Sequence, residues 1–269
     1  MSEERLSLGF IGGGRIAEAI IRGVTGKGLI SPGAILVSDI SESRLEYLRT
    51  ALGTEVTDDN LKVLEARETL IIAVKPQVID DLLVEISPMV RDEHLIISVA
   101  AGVKTARIES DIGKYARVVR VMPNIAAIVG EAASAICKGS YSTYEDLELT
   151  KKIFEAVGRV VIVDEEKMDA VTGLSGSGPG FIMPIIEALA DAGVHEGLDR
   201  ETALLLASQT VLGAGKLVLE TGMHPAAVKD MVTSPGGTTI EGIKALEEGG
   251  VRDAVMEAVI RAVERSREL

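Results

Sequence analysis

Over roughly the first 160 residues, short continuous runs of aliphatic and β-branched residues alternate with segments of helical spacing, the pattern of parallel βαβ units. The runs predict strands at Leu6–Ile11, Ala34–Ser38, Thr69–Val74, His94–Val99, Arg117–Met122, Ala132–Cys137 and Val160–Val163. Helical spacing between the first five falls at Ile16–Gly28, Ser41–Leu52 and Val78–Met89. Leu70-Ile71-Ile72-Ala73-Val74 is apolar without alternation, as a strand covered on both faces requires. Pro76 follows that strand directly, a position from which proline opens a helix at little cost.

From about Glu165 the pattern changes to long helical stretches with no convincing strand. Pro179–Glu196 and Arg200–Thr221 are apolar around most of their circumference, above all at Ala203-Leu204-Leu205-Leu206-Ala207. Such helices must be buried, and a small second domain has too little interior to bury several alone. The sequence therefore predicts two domains, 1–164 and 165–269, with the helices of the second packed against another subunit. Packing onto the first domain is the alternative.

Composition narrows the class. The 269 residues are 46% hydrophobic and 26% charged, ordinary for a globular protein, but only 3% aromatic with no tryptophan. The net charge of −13, with no run of Lys or Arg, argues against nucleic acid as a partner. The acidic start Met1-Ser2-Glu3-Glu4-Arg5 does not read as a secretory signal, and the uninterrupted apolar runs are short for a bilayer, so no membrane partner is expected. Cys137, the single cysteine, can form no disulfide within the chain and no cysteine metal site; it reads as a small buried residue in a cytoplasmic protein. No metal site is expected.

The strand Leu8-Gly9-Phe10-Ile11 runs into Gly12-Gly13-Gly14-Arg15-Ile16-Ala17 and then a helix. This is Gly-x-Gly-x-x-Ala in the context of strand, turn and helix, where Gly12 allows the turn, Gly14 admits a pyrophosphate and Ala17 lets the helix lie close on the sheet. The helix start offers free N–H groups to phosphates. Asp39 ends the second strand, 22 residues beyond Ala17, where an acid accepts from the adenosine ribose and repels a 2′-phosphate. Arg15 could meet that phosphate instead, and Asp39 could merely cap the helix that follows. A nicotinamide dinucleotide is expected, with NADH and NADPH both open.

Three further strings lie at the carboxyl ends of strands, where an open parallel sheet binds its ligands: Ala73-Val74-Lys75-Pro76, Ser98-Val99-Ala100-Ala101-Gly102 and Val121-Met122-Pro123-Asn124. Narrower still are Leu174-Ser175-Gly176-Ser177-Gly178-Pro179 and Lys229-Asp230-Met231-Val232-Thr233-Ser234-Pro235-Gly236-Gly237-Thr238-Thr239-Ile240-Glu241. In order and spacing over nearly the whole chain, these strings closely resemble the pyrroline-5-carboxylate reductase family. The resemblance implies a Rossmann-type parallel-sheet domain and an all-helical C-terminal dimerisation domain interlocked between two subunits, in some cases within larger assemblies of dimers. It implies reduction of 1-pyrroline-5-carboxylate to proline with NADH or NADPH. It places cofactor contacts on Gly12, Gly13, Gly14, Arg15, Ile16, Asp39, Asn60, Val74, Lys75, Pro76 and Ala101. Substrate contacts fall on Ser234, Gly237, Thr238 and Thr239, with Glu165 a weaker candidate. Arg15-Ile16 stands where the family usually has Asn-Met, Gly180-Phe181 where Ala-Tyr is common, and Asp39-Ile40 where polar or basic residues often follow the second strand.

Reduction of a cyclic imine needs hydride at carbon and a proton at nitrogen. A ring nitrogen that arrives protonated requires no strong acid, and none of His94, His195 and His224 lies in a string suggesting catalysis; each reads as a surface or capping residue. Ser234–Thr239 precedes the amphipathic segment Ile240–Glu248 and should form a helix N-terminus, where backbone N–H groups at Gly237 and Thr238 can bind the substrate carboxylate. The Thr239 hydroxyl can hydrogen-bond the ring nitrogen, which makes it the candidate catalytic residue; without the resemblance, a simple helix cap fits as well. Two rivals remain. A 3-hydroxyacid dehydrogenase would need a base such as Lys216 or Lys229. A non-catalytic dinucleotide sensor would need no intact substrate loop.

Overall fold

The computed structural model describes residues 6–113 and 115–268. Its first half is a β/α alternation: β1 (Leu8–Ile11), α1 (Arg15–Gly26), β2 (Ile35–Ser38), α2 (Glu42–Leu52), β3 (Glu55–Thr57), α3 (Asn60–Ala66), β4 (Thr69–Ile72), α4 (Ile79–Ile86), β5 (Leu95–Ser98), α5 (Thr105–Ile112) and β6 (Arg117–Met122). Then follow β7 (Ala132–Lys138), α6 (Tyr144–Phe154) and β8 (Gly158–Ile162). The strands form one eight-stranded sheet in the order β3-β2-β1-β4-β5-β6-β7-β8.

Every predicted strand is present, with ends moved by a residue or two. β3 was not foreseen: Glu55-Val56-Thr57 is too short and polar to announce itself, and it forms by pairing in register with Leu36–Ser38. β1, β2, β4 and β5 are buried at every position, as their continuous apolar runs require. Phe10 joins the cluster that buries Ile20, Val37 and Phe154, whereas Ile11 joins the one that buries Val63, Leu83 and Ile108, so successive side chains serve opposite faces. The sheet is not wholly parallel. β7 runs antiparallel to β6, because only a tight 3₁₀ turn at Ile125–Val129 joins them, too short for a crossover helix.

Local chemistry sets the helix ends. Ser41 caps α2 by accepting from the Arg44 N–H, and Gly53 closes it in the left-handed conformation at φ 71°. Thr143 and Asp146 form a reciprocal capping box on α6. At the start of β8, Gly158 has φ 155° and lies against the Ala132 backbone, so close that a Cβ would fall 2.1 Å from the Ala132 carbonyl oxygen. No other residue fits this strand junction.

His94 is buried, not at the surface as its polarity suggests. Its Nδ1 accepts from the Arg91 N–H at 2.9 Å, which leaves Nε2 to donate to the Leu64 carbonyl at 3.0 Å. Burial pushes its pKa below the ordinary histidine value. The unfolded chain therefore binds this proton more readily than the folded one, and stability is lost as pH falls below about 6.5. A His94→Gln variant, which keeps an acceptor and a donor, should show a shallower fall in Tm between about pH 6.5 and pH 5. The other two histidines behave as expected: His224 caps a helix by accepting from the Ala226 N–H, and His195 is exposed. Cys137 is buried, and burial pushes its thiol up to about 12.

After β8 every described element is helical: α7 (Met168–Val171), a π-helical turn at Thr172–Gly176, α8 (Gly178–His195), α9 (Arg200–Thr221), α10 (Pro225–Met231), α11 (Thr238–Glu248) and α12 (Val251–Arg267). By compactness the chain divides into residues 1–177 with 262–269, and residues 178–261. Within the second unit α8 and α9 meet through small residues, Ala190 against Ala203 and Ala207. The large residues of α9 have no cover: Leu204, Leu205, Leu206, Leu212 and Leu219 are all exposed in the single chain. Contrary to the expectation from run lengths, α9, at 22 residues, is by length and composition long and apolar enough to cross a bilayer. Ser208, Gln209, Thr210 and Lys216 interrupt its apolar runs but leave the helix apolar along most of its length.

Candidate active site

The order β3-β2-β1-β4-β5 places a topological switch between β1 and β4, because the chain leaves β1 toward one edge and β4 toward the other. The helices after these strands turn to opposite faces and leave a crevice at the strands' carboxyl ends, where open α/β sheets bind ligands. The glycine loop occupies that crevice. Gly12 has φ 95°, and its N–H donates to the Ser38 carbonyl at 2.9 Å. Gly14 is the N-cap of α1 and supplies no side-chain cap, and a Cβ built on it would meet nothing within 4 Å. A bare helix start with open space before it fits a pyrophosphate. Ala17 is fully buried.

Other predicted contacts gather at the same end of the sheet. Asp39 spends both carboxylate oxygens on the backbone, accepting from Gly13 N–H at 2.8 Å and Ser41 N–H at 2.9 Å. It does not cap α2, since Ser41 does. Asn60 accepts from the Ser38 hydroxyl at 2.7 Å, behind the end of β2. Val74 lies beside Gly12, its nitrogen 3.0 Å from where a Gly12 Cβ would stand. Pro76 and Ala101 line one cleft of about 710 Å³, together with Gly102, Lys104, Arg107 and Asp169. Arg15 is exposed on the first turn of α1.

Two residues at this site escaped the sequence reading. Arg44, on the first turn of α2, donates through Nε to the Gly13 carbonyl at 2.5 Å and through Nη2 to the Gly14 carbonyl at 3.2 Å. The same Nη2 pairs with Glu18 of α1 at 2.6 Å. Glu18 also accepts from Arg22 and from the Tyr47 hydroxyl, each at 2.9 Å. Burial alone would raise the Glu18 pKa, but hydrogen bonds from Arg44, Tyr47 and Arg22 outweigh it and hold the carboxyl below its usual range. Only the tertiary fold brings position 44 to a loop 30 residues earlier, so no local motif announces it.

The predicted substrate loop is compact in itself. Gly237 is the N-cap of α11, and no side chain caps the helix, so Thr238 and Thr239 stand in its first turn. One expected role is corrected. The Gly237 N–H is spent on the Ser234 carbonyl at 3.0 Å, which leaves the N–H groups of the first helical turn, from Thr238 onward, to bind an anion. Glu165 lies in the other compact unit. Its carboxylate accepts from the Thr105 N–H at 2.7 Å and the Thr105 hydroxyl at 2.5 Å, and pairs with buried Arg120 at 3.3 Å.

A doubly wound sheet with a bare glycine loop at its switch point, followed by a helical domain, defines a dinucleotide-dependent oxidoreductase. A family model described as pyrroline-5-carboxylate reductase dimerisation matches residues 165–269, and one described as NADP oxidoreductase, coenzyme F420-dependent, matches residues 7–102. The chain belongs to the pyrroline-5-carboxylate reductase family. It is 53% identical to the pyrroline-5-carboxylate reductase of Methanosarcina acetivorans, over 99% of this chain and 98% of that protein. To the Arabidopsis thaliana enzyme it is 46% identical, over 99% and 96%. Among solved structures, a pyrroline-5-carboxylate reductase from Coxiella burnetii superposes with a TM-score of 0.93 at 37% identity, covering 98% of each chain. The Plasmodium falciparum pyrroline carboxylate reductase with NADP bound superposes at 0.87 and 29% identity, again covering 98% of each.

Proposed function

We propose that the chain reduces 1-pyrroline-5-carboxylate to L-proline with NADH or NADPH, and that Ser234–Thr239 is the loop that holds the substrate. The observation carrying the loop's assignment is the start of α11: a glycine N-cap with no side-chain cap leaves the first-turn N–H groups without a capping side chain, with Thr238 and Thr239 in that turn. The first-turn N–H groups bind the substrate carboxylate. The Thr239 hydroxyl accepts from the protonated ring nitrogen or donates to an unprotonated one, fixing the imine's orientation. A bound NADH or NADPH would supply the hydride for the imine carbon, and the protonated C=N group would become a secondary amine. Most of the acceleration is then positioning, and no strong acid is needed.

The cofactor contacts proposed are the glycine loop with Arg15 and Ile16, Asp39, Asn60, Val74-Lys75-Pro76 and Ala101. The family match over residues 165–269 supports a functional division at 164/165, while by compactness residues 165–177 go with the first unit. The uncovered leucines of α9, inside the segment matched as a dimerisation domain, support a homodimer closed through α8 and α9, with association of such dimers a further step. A second copy, rather than a bilayer, covers that surface. A cytoplasmic setting is proposed, with neither nucleic acid nor membrane as partner.

The test is oxidation of NADH and NADPH with and without 1-pyrroline-5-carboxylate. No substrate-dependent oxidation from folded protein that binds the coenzymes would defeat the reading in favour of a sensor. Thr239→Ala should lower kcat/KM by about tenfold or more, the loss of one charge-assisted hydrogen bond, with coenzyme affinity unchanged. Wild-type kinetics in that variant would remove Thr239 from the reaction.

A further inference from the structure

Gly13 is bracketed by opposite charges: its N–H donates to the Asp39 carboxylate, and its carbonyl accepts from the Arg44 guanidinium. Each Asp39 oxygen keeps a further lone pair, so this carboxylate can still accept from a ribose hydroxyl. A 2′-phosphate in the same place would bring about −1.5 to −2 charges against it. Arg44 is the cation best placed to offset that repulsion, because it reaches the backbone of both Gly13 and Gly14. Its charge is committed elsewhere: Nη2 is paired with Glu18, whose second carboxylate oxygen takes Arg22 and Tyr47. The guanidinium also stacks 5.0 Å from the centre of the Tyr47 ring.

We infer that Glu18 is a specificity-determining residue: by holding Arg44 and offsetting part of its charge, it leaves Asp39 without a free cation to oppose it at the ribose end of the glycine loop and makes the enzyme prefer NADH to NADPH. The inference rests on the reading of this loop as the NAD(P)H site. Glu18 belongs to α1 and Arg44 to α2, so the latch also ties the first turns of the two helices that flank the loop. Arg15, exposed at the start of α1, is the competing cation.

The test is calorimetric titration of NADH, NADPH and adenosine 2′,5′-bisphosphate into the full chain. The wild type should bind NADH roughly tenfold or more tighter than NADPH. Glu18→Gln should move that ratio toward NADPH by about fivefold or more, and tighten the bisphosphate likewise. The gain should shrink with added salt and vanish in Glu18→Gln/Arg44→Gln, while Glu18→Gln/Arg15→Gln keeps it. Arg44→Gln alone should leave the wild-type ratio unchanged, which serves if Glu18→Gln folds poorly. An NADPH-preferring wild type, an unmoved ratio in Glu18→Gln, or a gain that follows Arg15 would overturn the inference. So would a loss of NADPH affinity in Arg44→Gln alone. These titrations need no pyrroline, so failure of the reductase reading would appear separately, as coenzyme binding without turnover.

Discussion

Gly12→Ala should weaken coenzyme binding by about a hundredfold or more, roughly 3 kcal/mol, as measured by equilibrium titration of NADH. The added Cβ would stand 2.9 Å from both the carbonyl carbon and the oxygen of Ala73, and 3.0 Å from the Val74 nitrogen. These are backbone atoms just beyond β4, where the Ala73 N–H donates to the Ile11 carbonyl at 2.8 Å. They cannot move aside as a flexible side chain would. The φ of 95° adds backbone strain of about 1–3 kcal/mol for any residue with a Cβ. Relief comes only by moving the loop, and the loop places the helix N-terminus at which the pyrophosphate binds. Gly14→Ala should behave differently. Its Cβ meets no protein atom within 4 Å, so Tm should hold while affinity falls, because the space it fills is where the coenzyme approaches. Full affinity in Gly12→Ala would show that the loop is not the dinucleotide site.

The contrast between these two glycines also shows what the sequence could convey. Gly-x-Gly-x-x-Ala between a strand and a helix was legible, because each residue is required by local backbone geometry or by a close approach a few residues away. The buried strands were legible for a similar reason: continuous apolar runs fit only a sheet covered on both faces. β3 was not, since three half-exposed residues become a strand only through a neighbour nearly 20 positions earlier. Arg44 and Glu18 were hidden in the same way. A charge on a helix is ordinarily a solvated charge, and only the packing of α1 beside α2 turns this pair into part of the site. α9 misled by its interruptions, since run length and average hydropathy are different measures and its apolar surface is defined by the second.

Glu165 is the residue on which sequence and structure press hardest against each other. The resemblance offers it as a substrate contact, yet its carboxylate is taken up by Thr105 and by Arg120, whose side chain is only 2% exposed. Arg120 already leaves Nη2 without a hydrogen-bond partner, so Glu165 carries most of the burden of compensating a buried charge. Removing that partner is costlier than removing both, because the remaining ion is stranded away from water. Glu165→Ala should therefore lower stability by about 3 kcal/mol, the lower end for a buried pair because Glu165 itself retains 26% exposure. In a chain of this size that corresponds to a fall in Tm of roughly 6–12 °C. Adding Arg120→Met to Glu165→Ala should recover much of the loss, since no buried charge is left behind. A substrate contact would give the opposite pattern: KM for the pyrroline would rise, Tm would stay put, and Arg120→Met would restore nothing. Thermal melts and KM on the same variants separate the two roles, and the geometry around Thr105 and Arg120 favours the structural one.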